Sequence, residues 1–220
     1  MPDRPIIFSA PMIRALLNGS KSQTRRILKP QPDDLVEGQI PAALRIQYGD
    51  RLWVREAWRA PIMNDDVAPR DLPAGMARAY EADSTELIGR GDDTTHSPIG
   101  AAGRLRPGIH MPRWASRLTL VVTDARVERL QSMSAADAMA EGIQDLRTPD
   151  HTDYGIPGLV NAQHPVRAFW VLWESINGPG TWEANPWVAA ISFDVHRANI
   201  DALAKRGVRP TEATSVGVGR

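Results

Sequence analysis

The sequence predicts an α+β domain built on a curved or closed sheet, and three observations predict it. Segments that alternate with period two, or run apolar for a few residues, recur along the chain with only short helical patterns between them. Their order is strand, helix, several strands, short helix, helix, strand, which lacks the regular alternation of a doubly wound sheet. The chain has no internal repeat, and 220 residues with a 42% hydrophobic fraction suit one domain with a proper core.

Taken in order, Pro5 to Ser9 reads as a short strand. Pro11 opens a helix in which Met12, Ile13, Leu16 and Leu17 recur at helical spacing, and Gly19 is placed to cap it. A basic polar segment, Lys21 to Lys29, follows, and Pro30 to Asp34 marks a loop. Tyr48-Gly49-Asp50 is a turn leading into a strand over Arg51 to Trp58, with Leu52, Val54 and Trp58 alternating against Arg51, Trp53, Arg55 and Arg59. Residues 60–76 hold three prolines and read as loop, Ala77 to Asp83 as a further strand, and Ser84 to Pro107 as an inserted mobile loop. Arg117 to Leu130 is the strongest β segment. Ser134 and Asp137 make a capping box for a short helix that runs toward Glu141-Gly142. Residues 144–162 read as irregular. A helix from Pro165 carries Val166, Phe169, Trp170, Trp173 and Ile176 on its apolar face, stopped by Asn177-Gly-Pro-Gly180. Trp187 to Val195 is a final buried strand. Residues 1–200 are therefore expected to form the domain, with insertions near 60–107 and 144–162, and 201–220 a flexible tail.

Composition excludes several functions. The chain has 26 basic and 26 acidic residues, so net charge gives no sign of a polyanionic partner or a membrane surface. It has no cysteine, hence no disulfide, thiol nucleophile or thiolate metal site. The five histidines are scattered without ligand spacing, and Asp65-Asp66 and Asp92-Asp93 lack the spacing of a calcium loop, so no metal or cofactor is expected. Gly100 to Gly103 lacks the Lys-Ser/Thr of a phosphate loop, and no nucleophile elbow is present. The N-terminus has no secretory signal pattern, and no apolar run approaches the ~20 residues of a membrane span. A soluble cytoplasmic protein is expected.

One local bias stands against the neutral whole. Pro11 to Lys29 carries Arg14, Lys21, Arg25, Arg26 and Lys29 and no acidic residue. Cations suit a helix C-terminus, so a solvated helix end is one reading. The uninterrupted sign favours the other, an anion site.

Within that segment, Asn18-Gly-Ser-Lys-Ser-Gln-Thr-Arg-Arg26 resembles the signature of the ASCH family, a helix followed by Gly-x-Lys-x-x-Thr-x-Arg, with Gly19, Lys21, Thr24 and Arg26 at its four positions. The Gly49-Asp50 turn into Leu-Trp-Val and the late Ala140-Glu141-Gly142 extend the resemblance in order along nearly the whole chain. The Leu-Trp-Val-Arg-Glu-Ala-Trp and Ile-Asn-Gly-Pro-Gly segments are similar to the larger members encoded by phages and prophages. The resemblance implies a β-barrel related to the PUA RNA-binding fold, with flanking helices, long inserted loops and a cleft beside the first helix. One branch hydrolyses the acetyl amide of N4-acetylcytidine with a Lys, a Thr and a Glu, which would correspond to Lys21, Thr24 and Glu141. Another branch is described as a ribonuclease, and many members are thought only to bind RNA. The chain is about twice the length of the small amidohydrolases, with insertions near 60–107 and 144–162 placed to reshape or cover the pocket.

The residues themselves allow that chemistry. A lysine of ordinary pKa, near ~10.4, is a poor base, but burial and a neighbouring cation such as Arg25 or Arg26 lower it. On a continuing helical turn Lys21 and Thr24 would share a face. Lys21 could then activate Thr24 or a water, Glu141 shuttle the proton, and Arg26 hold an oxyanion or a phosphate. Arg25, Arg26, Trp53, Arg55, Glu56 and Trp58 are the expected substrate-binding residues, with a tryptophan stacking on a base. The alternatives are that Glu56 merely pairs with an arginine, Thr24 hydrogen-bonds backbone, and Glu141 ends a capped helix. Three functions stay open: a hydrolase of a modified pyrimidine nucleoside, a ribonuclease on single-stranded RNA, and a non-catalytic RNA-binding module. Oligomeric state is not legible.

Overall fold

A computed structural model describes residues 3–33, 35, 44, 46–83 and 102–205. Its centre is a five-stranded sheet of β1 (Asp3–Ile7), β2 (Gln23–Ile27), β3 (Arg51–Arg55), β6 (Thr119–Arg129) and β10 (Trp187–His196), in the order β1-β3-β6-β10-β2. β1 and β3 run parallel and every other pair antiparallel. β6 and β10 sit centrally and are long because both their faces are covered. Val188, Ala190, Ile191, Leu120 and Val122 are fully buried, so these strands read as apolar runs rather than clean alternation. A bulge between Ser192 and Phe193 breaks the β10–β6 register and bends the pair.

The sheet's two outer strands, β1 and β2, form no ladder with one another, so the described sheet is an open one. Their ends nonetheless converge, because the Arg26 guanidinium on β2 donates to the Ile7 carbonyl of β1 at 2.7 Å. Between them in sequence lies α1 (Ala10–Leu17), opened by Pro11 and burying Met12, Ile13, Ala15 and Leu16. Later in the chain α3 (Pro165–Asn177), with Pro at its start and Gly178 at φ 99° after its end, buries Ala168, Phe169, Leu172 and Trp173 in the main apolar core. Ile176 departs from the expected apolar face. One residue from the helix end it is 60% exposed.

Several other expectations are corrected. The strand predicted over Arg51 to Trp58 is two strands. β3 ends at Arg55, and β4 (Trp58–Arg59) turns away to pair with β5 (Ala79–Tyr80), which is all that remains of the predicted 77–83 strand. Described residues of the 60–107 insertion are also more than loop. Short 3-10 turns there pack on a second apolar cluster of Trp58, Ala60, Leu72, Met111 and Ala115, to which the segment contributes Ala60 and Leu72; residues 84–101 lie outside the described chain.

The segment 144–162 is a three-stranded antiparallel sheet of β7 (Gln144–Asp145), β8 (Tyr154–Ile156) and β9 (Val160–Ala162). Strands of two or three residues are too short to show a period. The tail expected from 201 begins as α4 (Ile200–Lys205), anchored by buried Ile200 and Leu203 and by an Arg113–Asp201 ion pair of 2.6 Å; residues 206–220 lie outside the described chain. The capping box is present as predicted, opening α2 (Ala135–Ala140). Among the described residues no helix is long and apolar enough to cross a membrane.

Candidate active site

Gln23–Ile27 is β-strand and not helix, with Lys21 just before it in an isolated antiparallel bridge to Glu141, and this rearranges the predicted constellation. Lys21 and Thr24 therefore do not share a face through a helical turn. What brings them to the same cavity is the position of β2 at the sheet edge. A cavity of about 430 Å³ opens there, and its lining includes Lys21, Thr24, Arg26 and Glu141 along with Phe8 and Trp173. α1 and α3 supply most of its apolar wall.

Lys21 is 2% exposed, which would be costly for an ammonium without partners. Its partner comes from 120 residues away. Nζ donates to Glu141 Oε2 at 2.7 Å and to the Glu141 carbonyl at 2.8 Å, and the two residues also bridge through their backbones. Glu141 is the C-cap of α2, and the turn after it brings it over Lys21. Gly142 permits that turn. Its φ is 105°, and a Cβ there would meet the Ala15 Cβ at 3.2 Å and the Lys21 Cβ at 3.4 Å. Burial lowers the Lys21 pKa below its ordinary 10.5; the Glu141 carboxylate opposes this, and Arg26 and Arg25 push it further down. The result is an amine held in the wall of a cavity with its proton made easier to lose.

The remaining predicted residues divide. Thr24 is buried, lines the same cavity, and its hydroxyl has no hydrogen-bond partner among the described residues, so the backbone-bonding alternative does not describe it. Arg26 is exposed on the cavity rim, its guanidinium 5.1 Å from the Phe8 ring centroid. Lys29 stands on the same rim, and a second cavity of about 550 Å³ shares Arg26, Ile27 and Lys29 with the first.

Arg25 is among the residues lining the cavity, yet its side chain is committed within the protein. Its side chain is wholly buried, and its nitrogens go to Gln23, Glu128, Glu141 and Asp137. Trp58 is also displaced: it is fully buried in the second apolar cluster, edge-on to Trp114, and cannot stack on a ligand. Trp53 is 6% exposed and the Arg55 guanidinium covers its ring at 4.4 Å, so neither residue reaches the cavity lining.

Glu56 follows the arginine-pairing alternative, buried where exposure was expected. Both its oxygens accept from Arg117 at 2.9 Å, and Arg117 also holds Asp83 at 2.7 Å while lying 3.9 Å over the Tyr80 ring. Burial raises the Glu56 pKa against the pull of Arg117.

Sequence reasoning missed Phe8, Phe169 and Trp173 as cavity wall, and missed Glu128 and Asp137 as partners of Arg25. Asp137 was legible only as half of a capping box, and it does both jobs. Its Oδ2 accepts from the Ser134 backbone and hydroxyl while its Oδ1 faces Arg25 and Arg126. No family model, curated protein or solved structure matches the chain.

Proposed function

We propose that the chain is an ASCH-type hydrolase that removes an acyl group from a modified pyrimidine nucleoside, with N4-acetylcytidine as the reference substrate. The observation that carries this reading is the buried Lys21–Glu141 pair in the wall of a cavity that Thr24 also lines. A lysine placed where apolar packing would be cheaper, with its charged form disfavoured, is the arrangement a general base needs. In the reaction neutral Lys21 takes the proton of a water or of the Thr24 hydroxyl, whose oxygen adds to the acyl carbon. The C–N bond then breaks, and the proton passes through Lys21 and Glu141 to the departing amino group. If Thr24 is the nucleophile, the single water of the reaction enters afterwards and releases the acid from the Thr24 ester. Arg26, exposed on the rim, faces the charge that develops on the acyl oxygen.

The same reading takes the five-stranded sheet as a PUA-like barrel left open at the β1–β2 seam, with the cleft beside the first helix. The convergence of the two edges through Arg26 and Ile7 supports it. A second reading, cleavage or binding of single-stranded RNA, is favoured by one observation, the pair of rim cations Arg26 and Lys29 common to two cavities. Purified protein and a Lys21→Met variant, each incubated with N4-acetylcytidine and with unmodified single-stranded RNA, separate the readings. Cytidine released by the native protein alone is the expected result. Lys21-dependent cleavage of RNA with no cytidine would replace the hydrolase by a ribonuclease, and RNA retained without cleavage, more weakly at high salt, by a binding module.

A further inference from the structure

Behind the cavity wall the Lys21–Glu141 pair continues into the protein as a chain of alternating charges. Glu141 Oε1, the oxygen not used by Lys21, lies 3.3 Å from Arg25 Nη1. The Arg25 fork is filled on its other side by Glu128 Oε1, at 3.0 Å from Nε and 2.6 Å from Nη2, and Asp137 Oδ1 stands 3.5 Å from Nη2. Glu128 and Asp137 are in turn gripped by Arg126, at 2.8 and 2.5 Å. The chain starts at Arg126, whose side chain is 35% exposed, and ends at Lys21, which is 2% exposed.

The geometry points to Arg25 as a positioning residue, held by Glu128, Asp137 and Arg126, that keeps one Glu141 oxygen occupied so that Lys21 has only the other to hold its proton. This rests on the reading of Lys21 as the base. The fork matters as well as the charge: a guanidinium can serve Glu128 through Nε and Nη2 while Nη1 serves Glu141, and an ammonium cannot span both. Asp137 shows how firmly the far end is set. Burial pushes its carboxyl up, yet the Ser134 backbone and hydroxyl, Arg25 and Arg126 hold it well below the usual carboxylate range. The charged groups that face Lys21 are Glu141 beyond α2 and Arg25 and Arg26 on β2. α1 and α3 turn Met12, Phe169, Leu172 and Trp173 toward the cavity, and Lys29 lies on its rim.

The sequence offers a direct probe, since it contains only three lysines, Lys21, Lys29 and Lys205, of which the latter two are exposed. Protein labelled with 13C at the lysine ε-carbons gives three titration curves, and the buried one is identified by its absence from Lys21→Met. Arg25→Lys adds a fourth lysine signal, assigned by comparison with the Arg25→Lys/Lys21→Met double variant, and is expected to move the Lys21 midpoint upward, because Glu141 is released to pair with Lys21 through both oxygens. Arg126→Ala, at the accessible end and outside the cavity, is expected to move it in the same direction by less, and Arg126→Lys, which keeps the charge but not the fork, to restore it in part. Each unit of upward shift lowers the neutral fraction of Lys21 near pH 7 by about tenfold, and the acid limb of any turnover moves with it. A Lys21 midpoint unchanged in both Arg25→Lys and Arg126→Ala, with circular dichroism showing both folded, would overturn the proposal. Because the readout is the lysine signal itself, absence of acyl hydrolysis would sink the proposed function and leave this result standing.

Discussion

Two buried ion clusters lie in this domain, and they solve the same problem in opposite ways. Around Glu56 one carboxylate receives a bidentate arginine fork, and the fork's remaining reach goes to Asp83 and the Tyr80 ring. Around Lys21 two cations, the lysine and Arg25, divide a single carboxylate. In the first cluster each oxygen of Glu56 has its own donor from one planar group, a geometry that locks the pair in place. In the second the lysine shares Glu141 with a guanidinium already satisfied elsewhere, and it lines a cavity. Burial of charge alone therefore does not mark a site. What marks it is a charged group whose partner is contested and whose other side faces space a ligand can enter.

Substitutions can break that contrast. Lys21→Met should have the largest effect, a loss of acyl-hydrolase turnover of about 10²–10⁴-fold, the range of a general base, read as kcat on N4-acetylcytidine. Arg117→Met should leave that cavity's chemistry in place and strip Glu56 of its fork. An uncompensated buried carboxylate costs about 3–5 kcal/mol, to be seen as a lowered midpoint in urea. Gly142→Ala forces a side chain into φ 105° and against Ala15 and Lys21. Strain of about 1–3 kcal/mol is expected, with a fall in kcat out of proportion to it because the same turn aims Glu141. If kcat is untouched, the turn does not position Glu141 for chemistry.

A subtler test sharpens the comparison through pH. Glu56 has a folded pKa raised above 4.5, so the folded state binds its proton more tightly than the unfolded chain, and stability falls as pH rises from 4.5 through the folded value. Lys21 has a folded pKa lowered below 10.5, so the unfolded chain binds the proton more tightly, and stability rises with pH from the folded value up to 10.5. Urea midpoints across pH should show both slopes, with Glu56→Gln removing the acidic one and Lys21→Met the alkaline one. The smallest effect belongs to the rim. Arg26→Gln, an exposed cation, should change binding by at most about 1 kcal/mol and mainly reduce its salt dependence.

Much of this architecture was legible because its signals are local. Pro11 and Gly19 bracket α1, the Ser134–Asp137 box opens α2, and Pro165 and Gly178 bound α3 through backbone preferences that need no tertiary partner. The apolar run of β10 similarly announces a central strand. The Lys21–Glu141 pairing was suggested only by resemblance, since nothing within either segment specifies a partner 120 residues away. β2 itself was misread. Gln-Thr-Arg-Arg-Ile lacks the apolar alternation of a strand because its inward positions carry Gln23 and Arg25, whose polar groups are satisfied by Glu128, Ser192 and Glu141 from distant elements. Trp58 failed for a related reason. Its alternation with Leu52 and Val54 continued on paper past Arg55, while the backbone turned into a different sheet to bury the indole in a second core.

The unlatched seam between β1 and β2 has a bearing on how the protein behaves in a crowded solution. A sheet that ends in two bare strands is a template on which a foreign strand can grow, and most folds blunt such edges with charge or cover. Here Ile7 at the end of β1 and Thr24 to Ile27 of β2 border one narrow cavity, bridged by an arginine and flanked by α1 and α3. An incoming chain finds no straight, open margin there to extend. Along the described residues the gap in the ladder is thus bridged and flanked, and any change that widened it would bare two strand edges to aggregation.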